Sequence, residues 1–470
     1  MLRLGPIAGG FEKQLLGALA AANAQVALSV LRVSTGKKIN FPRDNPSRFV
    51  HLDSLQREQS AVQAAVERVN AAANIGSQLQ TNLAAVIGQL ADVQALLLED
   101  ADQSLSTAER AANQLEVDAA LAQISTLAHT SIEGKNILDG GSNYRVTGQI
   151  PTQIKSAQVY SLGSTTSLAG TVTTAATKGS LTHTGAAGLV TSTATFALSG
   201  KLGTATVSVT ALESLSSVAT KINNASYGTG LTAAVVGNVL TISTVDYGTS
   251  ATLAVNVSSG TFAVAGGNGD GTAQGTNALA TLDGLAPSSV DGNRVAYARG
   301  GTHLEIELAA GYTGAVNTLT LSDSPTLKFA LGTGTQQTRL GVRGVLIETL
   351  GGNSGALSQL ASGGSLSGLS TNTAQAIRVV DEAAAQLTVL AGQVDGFADI
   401  TVDSTAEFLS AWDQNLTTGI SRVNGVDEDA ENLNITRNQN LAANALASLA
   451  ILQQQQASVV YLIQKLAGLV

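Results

Sequence analysis

The chain has 470 residues, enough for about three domains, with 44% hydrophobic but only 3% aromatic residues, so its cores must consist of Ala, Leu, Val and Ile. A formal net charge of -9 at pH 7 argues against nucleic acid as the main partner. The sequence has no Cys and only 4 His, which excludes disulfides and thiolate sites and leaves little for a metal or catalytic centre. We therefore predict no enzyme, no metal and no cofactor.

The N-terminal segment is predicted to form an uncharged helix with one narrow apolar stripe. Residues 14–31 contain no charged side chain. Small and apolar residues recur there at steps of four and three, the heptad rhythm of a helix that packs on another helix. This stripe consists of Leu15, Leu19, Ala22, Val26, Ser29 and Val33. A single partner helix would cover the stripe and leave uncharged flanks that need more neighbours.

A signal peptide is the alternative interpretation of these first residues. Arg3 and Lys13 precede an apolar run that ends in the small-residue sequence "ANA" before Gln25. Glu12 at the start of the run, its high Ala content and the helical spacing beyond Gln25 favour an uncleaved helix. The run is also too weakly apolar to predict a membrane span, so we expect no membrane insertion.

Two more helices are predicted before the character of the sequence changes. Between Gly36 and Pro46, "GKKINFPRDNP" contains two prolines that end the first helix. An apolar seam then predicts a long helix from about Pro46 to Leu98, and a second pattern predicts a helix over Ser106–Thr130. The Gly- and Asn-rich "SIEGKNILDGG" ends that helix.

From about Tyr144 to Leu340 the sequence is rich in Gly, Thr, Ser and Val and alternates with period two, which predicts strands. "TATVSVTAL", "NVLTISTV" and "ATLAVNV" are strand patterns, and "ESLSSVATKINNA" predicts a short helix between the first two. A second β-rich unit follows with "ATLDGL", "NRVAYARGGTHLEIELAAG" and "VNTLTL".

The helical period returns after "LASGGSLSGLS" and continues through Phe408 and Trp412 to the end of the chain. The last segment is again uncharged over residues 438–464. Its predicted seam consists of Leu449, Leu452, Gln456, Val459, Ile463, Leu466 and Val470.

Three motifs leave a chemical alternative open. The Gly-rich run Gly266–Gly275 resembles a phosphate loop but lacks the Lys-Ser/Thr of one, which favours a β-connection. Glu305 and Glu307 share a strand face with His303, which suits either a metal pair or, preferably, a solvated face. The acidic cluster within Asp427–Glu431 suits calcium or, preferably, the first turn of a helix.

The order of helices, β-rich segment and helices predicts an α+β multidomain chain. We expect the N- and C-terminal helices to pair in an α-helical coiled-coil bundle, with the β-rich segment as a central insertion. The predicted domains are a terminal helical assembly domain of 1–46 plus 432–470, a long-helix bundle of 47–143 plus 365–431, and an outer insertion of 144–364. Within that insertion we expect modules at about 191–258 and about 272–340.

Several segments, in this order, resemble bacterial flagellin. "LSVLRVSTGKKINFPRDNPSRFVHLDSLQREQ" is similar to the family's N-terminal signature, and "RAANQLEVDAALAQISTLAHTSIEGKNILDG" to the segment after it. "TATVSVTALESLSSVATKINNASYGTGLTAAVVGNVLTIST" resembles a small module, called IN, inserted in flagellins and other axial flagellar proteins. "ISRVNGVDEDAENLNITRNQNLAANALASLAILQQQQASVVYLIQKL" parallels the flagellin C-terminus. The usual basic Arg-Gly-Arg-Leu-Gly element is replaced by "LAGQVDGFAD".

This resemblance implies a structural subunit that self-assembles into the extracellular flagellar filament for swimming motility. It further implies export by the flagellar type III system without a cleaved signal peptide. The implied partners are further copies of the chain as a homo-polymer, an export chaperone on the C-terminal helix, and filament cap and hook-associated proteins.

In such a filament every flank of a terminal helix meets another subunit, so a charge there would be buried without a partner. We expect the same ends to be disordered in the free monomer. The predicted self-assembly interface consists of Leu15, Leu19, Val26, Val33, Leu449, Leu452, Gln456, Val459, Ile463 and Leu466.

Two other functions stay open. A hook–filament junction protein shares the terminal helices and differs in copy number. A secreted glycan-binding or adhesive protein would use the β-rich middle as its binding module.

Overall fold

The computed structural model describes residues 5–101, 105–367 and 372–466, so Val470 of the predicted seam lies outside the described residues. The chain divides into two compact units. We call Met1–Glu67 with Thr405–Val470 the terminal unit and Arg68–Ser404 the central unit. Helices at both ends of the chain flank a β-rich central region, which confirms the predicted α+β class. The predicted domain boundaries stay a prediction.

The helices follow the predicted order closely. The long helix predicted from Pro46 ends three residues beyond the predicted Leu98, and the helix predicted over 106–130 is also present. The α-helices are α1 (Gly5–Thr35), α2 (Pro46–Ala101), α3 (Thr107–Ala128), α4 (Leu215–Asn224), α5 (Ser226–Thr229), α6 (Thr373–Asp395), α7 (Asp403–Asn424) and α8 (Glu428–Leu466). A 3-10 turn at Leu357–Leu360 and a π-helical segment at Gly396–Val402 complete the described helical segments.

Local side chains fix two of these helix starts. Ser106 and Glu109 form a capping box, in which the Ser106 hydroxyl accepts from the Glu109 amide and the Glu109 carboxylate accepts from the Ser106 amide. The Asn45 side chain accepts from the Arg48 amide at 3.0 Å, and Pro46 occupies the first helical position of α2.

The strands of the central unit are short and antiparallel. In chain order they are β1 (Ser131–Ile132), β2 (Lys135–Asn136), β3 (Arg145–Thr147), β4 (Ile154–Ser161), β5 (Ser167–Thr174), β6 (Ser180–Thr184), β7 (Ala194–Gly200), β8 (Thr204–Val209), β9 (Leu231–Val236), β10 (Val239–Thr244), β11 (Thr252–Gly260), β12 (Thr272–Gln274), β13 (Leu279–Leu282), β14 (Ser289–Asp291), β15 (Arg294–Arg299), β16 (Thr302–Leu308), β17 (Gly314–Ser322), β18 (Leu327–Phe329), β19 (Thr338–Leu340), β20 (Gly351–Gly352) and β21 (Gly355–Ala356).

Two of the sheets form a module around one apolar core. The strand orders are β6-β10-β9 and β12-β11-β7-β8, and α4 packs against β9 and β10. Phe196 is fully buried at the centre of this core and stacks on Phe262, with ring centroids 4.4 Å apart. The core draws residues from Leu181 to Ala273, a wider span than the module predicted at about 191–258.

Two further sheets form a second core, with strand orders β13-β5-β17-β3 and β14-β15-β16-β4. Its buried residues run from Tyr144 to Leu321. Strands β3, β4 and β5 therefore pair with strands that follow the module, and the module is inserted between β5 and β13. This pairing adds residues 145–174 to the unit predicted at about 272–340.

The long helices of the central unit bury the predicted apolar seam. Leu79, Leu83, Val86, Leu90 and Val93 of α2 are all buried. Polar bonds to α6 fix their pairing: the Gln94 amide donates to Asp381 at 2.6 Å and the Gln80 amide to Asp395 at 2.9 Å.

Two helical segments, Gly9–Thr35 and Pro46–Ala101, are long and apolar enough to cross a membrane by length and composition alone. This is weak evidence, since a core helix or a helix near the N-terminus passes the same test. The expected absence of membrane insertion stays a prediction.

Candidate self-assembly surface

Within the terminal unit α1 packs along α8, and the predicted N-terminal stripe faces that contact. Ala22 and Ser29 are buried, and Leu15, Leu19, Val26 and Val33 are half-buried, whereas most residues between them are exposed. The heptad spacing therefore marks the stripe that one chain covers by itself.

The corresponding stripe of α8 has the same spacing and begins earlier than the predicted one. Its least exposed residues are Glu431, Ile435, Asn438, Ala442, Ala445, Leu449, Leu452 and Gln456. Of the predicted C-terminal seam, Leu449, Leu452 and Gln456 lie on this stripe. Val459, Ile463 and Leu466 continue its spacing, but they are 43%, 60% and 85% exposed.

A buried carboxylate fixes the register of the two helices. Glu431 of α8 accepts hydrogen bonds from the Ser29 hydroxyl at 2.5 Å and from the Arg32 guanidinium at 2.9 Å. The hydrogen bond from Ser29, together with Arg32, lowers the pKa of Glu431 in spite of its burial. The sequence placed Glu431 only in an acidic first turn, because its partners lie about 400 residues away in the chain.

A second polar contact joins the segment after α1 to the end of α7. Asn424 is buried; its backbone carbonyl accepts from the Lys38 amide and its side chain accepts from the Ile39 amide, both at 2.7 Å. Lys37 forms a β-bridge with Gly425. The "GKKIN" segment therefore joins the beginning and the end of the chain through backbone bonds.

The flanks and backs of α1 and α8 expose large apolar side chains. On α1 the large exposed side chains are Phe11, Leu16 and Val30. On α8 they are Leu433, Leu441, Leu446, Ile451, Val459, Val460, Tyr461, Leu462, Ile463 and Leu466. The heptad analysis missed most of these residues, because a period marks only one stripe; the missing charge was the signal that could have found them.

The terminal unit also contains a partly exposed aromatic pair on α7. Phe408 is 63% exposed, and its ring centroid lies 5.6 Å from that of Trp412, the one Trp of the sequence. Exposed rings are unexpected in a chain with so few aromatics, and apolar patches of this kind mark interaction surfaces.

Two of the three motifs with chemical alternatives have structural roles. Gly266–Gly275 is a β-connection that includes β12, and Asp270 accepts from the Thr272 amide within it. The Asp427 carboxylate accepts from the Ala430 amide at the start of α8, as a helix cap does. Among the described residues, no three His, Cys, Asp or Glu side chains are grouped to hold a metal ion.

Comparison with known protein families gives a match at each of the two helical ends. The model of the bacterial flagellin N-terminal helical region matches residues 12–143, and that of the C-terminal helical region matches residues 377–463. Both helical ends of this chain belong to the bacterial flagellin family. These matches at both ends support a flagellar structural protein.

Solved flagellar structures are similar to this chain at low identity. The D2-D3 domains of the flagellar cap protein FliD from Escherichia coli are 23% identical, over 38% of this chain and 98% of that one, with a TM-score of 0.29. The flagellar hook associated protein-3 from Legionella pneumophila is 10% identical over 79% and 98%, with a TM-score of 0.31. FlgL from Xanthomonas campestris is 12% identical over 78% and 99%, with a TM-score of 0.29. A sequence comparison with curated proteins gives no match.

Proposed function

We propose that this chain is the subunit that polymerises into the flagellar filament, with the exposed surfaces of α1 and α8 as its assembly interface. The observation that carries the proposal is that residues 14–31 of α1 and 438–464 of α8 contain no charged side chain and expose large apolar side chains that the chain does not cover itself. The assembly domain of residues 1–46 plus 432–470 is part of this proposal. Of the predicted interface residues, Val459, Ile463 and Leu466 lie on the exposed surface of α8. The other seven are half-buried on the stripe between α1 and α8, where we propose that they hold the two helices together for assembly; they are Leu15, Leu19, Val26, Val33, Leu449, Leu452 and Gln456.

A rough energy estimate supports neighbours on several sides. Burying the exposed half of one Leu, Ile or Val side chain is worth about 1 kcal/mol, so the exposed set on α8 contributes roughly 10 kcal/mol per subunit. Immobilising a subunit costs about 4–15 kcal/mol. Because this gain and this cost are of similar size, we expect the exposed surface of α1 to contribute as well, as it can when each subunit has several neighbours.

The uncovered end of α8 supports two finer parts of the proposal. Residues Val459–Leu466 are exposed over two helical turns, with Lys465 as the one charge. Such a surface would aggregate in the cell, so we propose that an export chaperone covers it before export by the flagellar type III system. The uncleaved N-terminus is part of the same proposal, since α1 supplies one side of the assembly interface.

Charging one exposed position of α8 tests the interface. Val459→Asp and Leu446→Asp should abolish polymerisation, because each carboxylate would be buried without a partner between subunits. Val236→Asp is the matched control, since Val236 lies on β9 of the central unit and is 79% exposed. Sedimentation and electron microscopy of purified chain added to short filament seeds give the readout. Normal filaments from both α8 variants would refute the assignment.

The same seeded reaction separates the filament subunit from the junction protein. A filament subunit elongates the seeds to many times their length, in proportion to the protein added. A junction protein adds at most one ring to a seed end, and that result would replace the proposed function by the junction role.

A further inference from the structure

The central unit contains a polar cleft that has no part in the proposed assembly interface. Its volume is about 300 Å³, at the lower end of the range for small-molecule sites. The cleft lies over the outer face of the sheet β14-β15-β16-β4 and is bordered by α6 and by loops of the module.

Strand alternation produces the floor of this cleft. In β16, Leu304 and Ile306 point into the core, so Glu305 and Glu307 point to the opposite face. The strand register places Gln158 of β4 beside Glu305 and Ser156 beside Glu307. The face predicted to be simply solvated is therefore the floor of a cleft, with the Glu307 side chain only 13% exposed.

Most charged groups of the cleft already have partners. Glu307 is paired with Lys155 at 3.2 Å, and Asp246 with Lys201 at 3.4 Å. The Glu382 carboxylate accepts from the Ser354 hydroxyl at 2.9 Å. These pairs hold the walls in place and leave their remaining oxygen lone pairs available to hydroxyl donors.

Arg343 differs from these groups. It is half-buried in the cleft wall, and among the described residues no hydrogen bond or ion pair satisfies its guanidinium. Its electrostatic neighbours in the cleft are Tyr160, Glu305 and Arg294, and the Glu305 carboxylate lies 3.7 Å from the Arg294 guanidinium. Arg343 therefore keeps free N–H donors in the cleft wall, from which one carboxylate of a ligand can accept hydrogen bonds.

The remaining lining suits a hydroxyl-rich molecule. Asn293, Gln393 and the Tyr160 hydroxyl make no side-chain hydrogen bond to any described residue, and each can bond to a sugar hydroxyl. The rings of Tyr160 and Tyr247 also line the cleft, and an aromatic ring can pack on the C–H side of a sugar ring. Tyr160 also packs against His303, and the Lys178 ammonium lies over the Tyr247 ring. Polyanions fit poorly, because the lining has five carboxylates, namely Asp246, Asp291, Glu305, Glu307 and Glu382, against three cations, namely Lys201, Arg294 and Arg343.

We infer that this cleft binds a short acidic saccharide, with the Arg343 guanidinium paired to the carboxylate of a uronic or sialic acid. The amides and carboxylates of the floor and of α6 bond to the sugar hydroxyls, and a tyrosine ring packs on a sugar face. Saccharide binding in the cleft is separate from polymerisation, since no residue of the α1 or α8 surface lines the cleft.

The test is a titration of the unassembled full-length chain with defined sugars. Binding is measured by calorimetry and by saturation-transfer NMR. The probes are 3′-sialyllactose and a disaccharide ending in glucuronic acid, with lactose as the neutral control. We expect saturable binding of at least one acidic probe, about tenfold or more tighter than lactose, as one charge-assisted bond provides. Equal binding of lactose, or no binding of either acidic probe, overturns the inference.

Two substitutions test whether the saccharide binds in the cleft. Arg343→Gln should weaken binding of the acidic probe by about tenfold or more and leave the weak binding of lactose unchanged. Arg339→Gln is the matched control, because Arg339 lies on β19 and is paired with Asp323 at 2.8 Å. A loss of binding in both variants, or in neither, overturns the assignment to Arg343.

Tyr160→Phe covers the case in which Arg343→Gln does not fold. It keeps the ring and removes only the hydroxyl, so it should weaken both acidic and neutral sugars by a few-fold, and unchanged binding of both contradicts the cleft assignment. Thermal unfolding checks that the variants are folded. Seeded polymerisation of the same variants should match the unaltered chain, which separates this test from that of the proposed function.

Discussion

The central unit buries its large apolar side chains, whereas the terminal unit leaves many of them exposed. In the central unit, two closed cores hide residues such as Phe196 and Leu304 completely. In the terminal unit, α1 and α8 cover one stripe of each other and leave Leu446, Ile451 and Ile463 about half exposed or more. A folded unit that hides its apolar surface is stable alone, whereas one that displays it depends on neighbours.

Limited proteolysis of the monomer should sharpen this comparison most. Because helices of this kind derive most of their stability from tertiary packing, we expect both ends to be cleaved about a hundredfold faster than the central unit. Mass spectrometry of the fragments should show a resistant product close to residues 68–404. Equal resistance of α1 and α8 in the monomer would contradict the comparison.

Phe196→Ala should destabilise the central unit and leave the stability of the terminal unit unchanged. Removal of this fully buried ring is expected to cost about 3–5 kcal/mol, since it leaves a cavity in the module core. Urea unfolding followed by circular dichroism would measure the loss. Tyr227→Ala, at an exposed aromatic residue of α5, is the control and should change stability by less than about 1 kcal/mol.

Glu213 gives the module a defined dependence on pH. Burial opposes its ionisation, but hydrogen bonds from Lys221, Ser217 and Thr210 outweigh burial and lower its pKa to about 2. A lowered pKa in the folded state stabilises the module above the ordinary value of 4.5, and this contribution is lost as the pH falls towards 2. The full contribution is about 3 kcal/mol.

The measurement compares Glu213→Gln with the unaltered chain in urea at pH 7 and at pH 3. We expect the difference in unfolding free energy to be largest at pH 7 and to shrink at pH 3. A difference that is independent of pH would show that the carboxylate does not act through its charge.

The smallest effect is expected at the carboxylate that joins α1 to α8. Glu431→Gln weakens the bonds from Ser29 and Arg32 and should destabilise the helix pair by about 1–2 kcal/mol. The readout is the minimum concentration for seeded polymerisation, which should rise while the unfolding of the central unit stays unchanged. Glu428→Gln, at a solvent-exposed position of the same first turn, is the control and should have no effect on either.

Local patterns predicted the secondary structure well. The period of 3.6 predicted α2 and α3 nearly to their ends, and the period of two predicted strands such as β8, β10 and β16. The pairing of β3, β4 and β5 with later strands was missed, because it joins residues more than 100 positions apart and no local signal records it. The cleft was missed for the same reason: Tyr160, Arg343 and Gln393 come from three separate parts of the sequence.

The candidate assembly surface was predicted only in part. The heptad rhythm found the stripe that α1 and α8 share within one chain, at Leu19, Val26 and Leu449. The outward residues, such as Leu16 and Leu446, follow no period that separates them from the stripe. The lack of charge in both segments was the only sequence feature that included them.

The hydrogen bond between Ser29 and Glu431 spans 402 positions of the sequence. Synthesis on the ribosome starts at the N-terminal end, so α1 is made early, and nearly all of the remaining chain must follow before its partner α8 exists. The closure of so long a loop is entropically unfavourable. We therefore expect the pairing of α1 with α8 to be the last step in the folding of a new chain. Each chain thus becomes competent to join others only when it is complete, and a truncated product is left out of the growing structure.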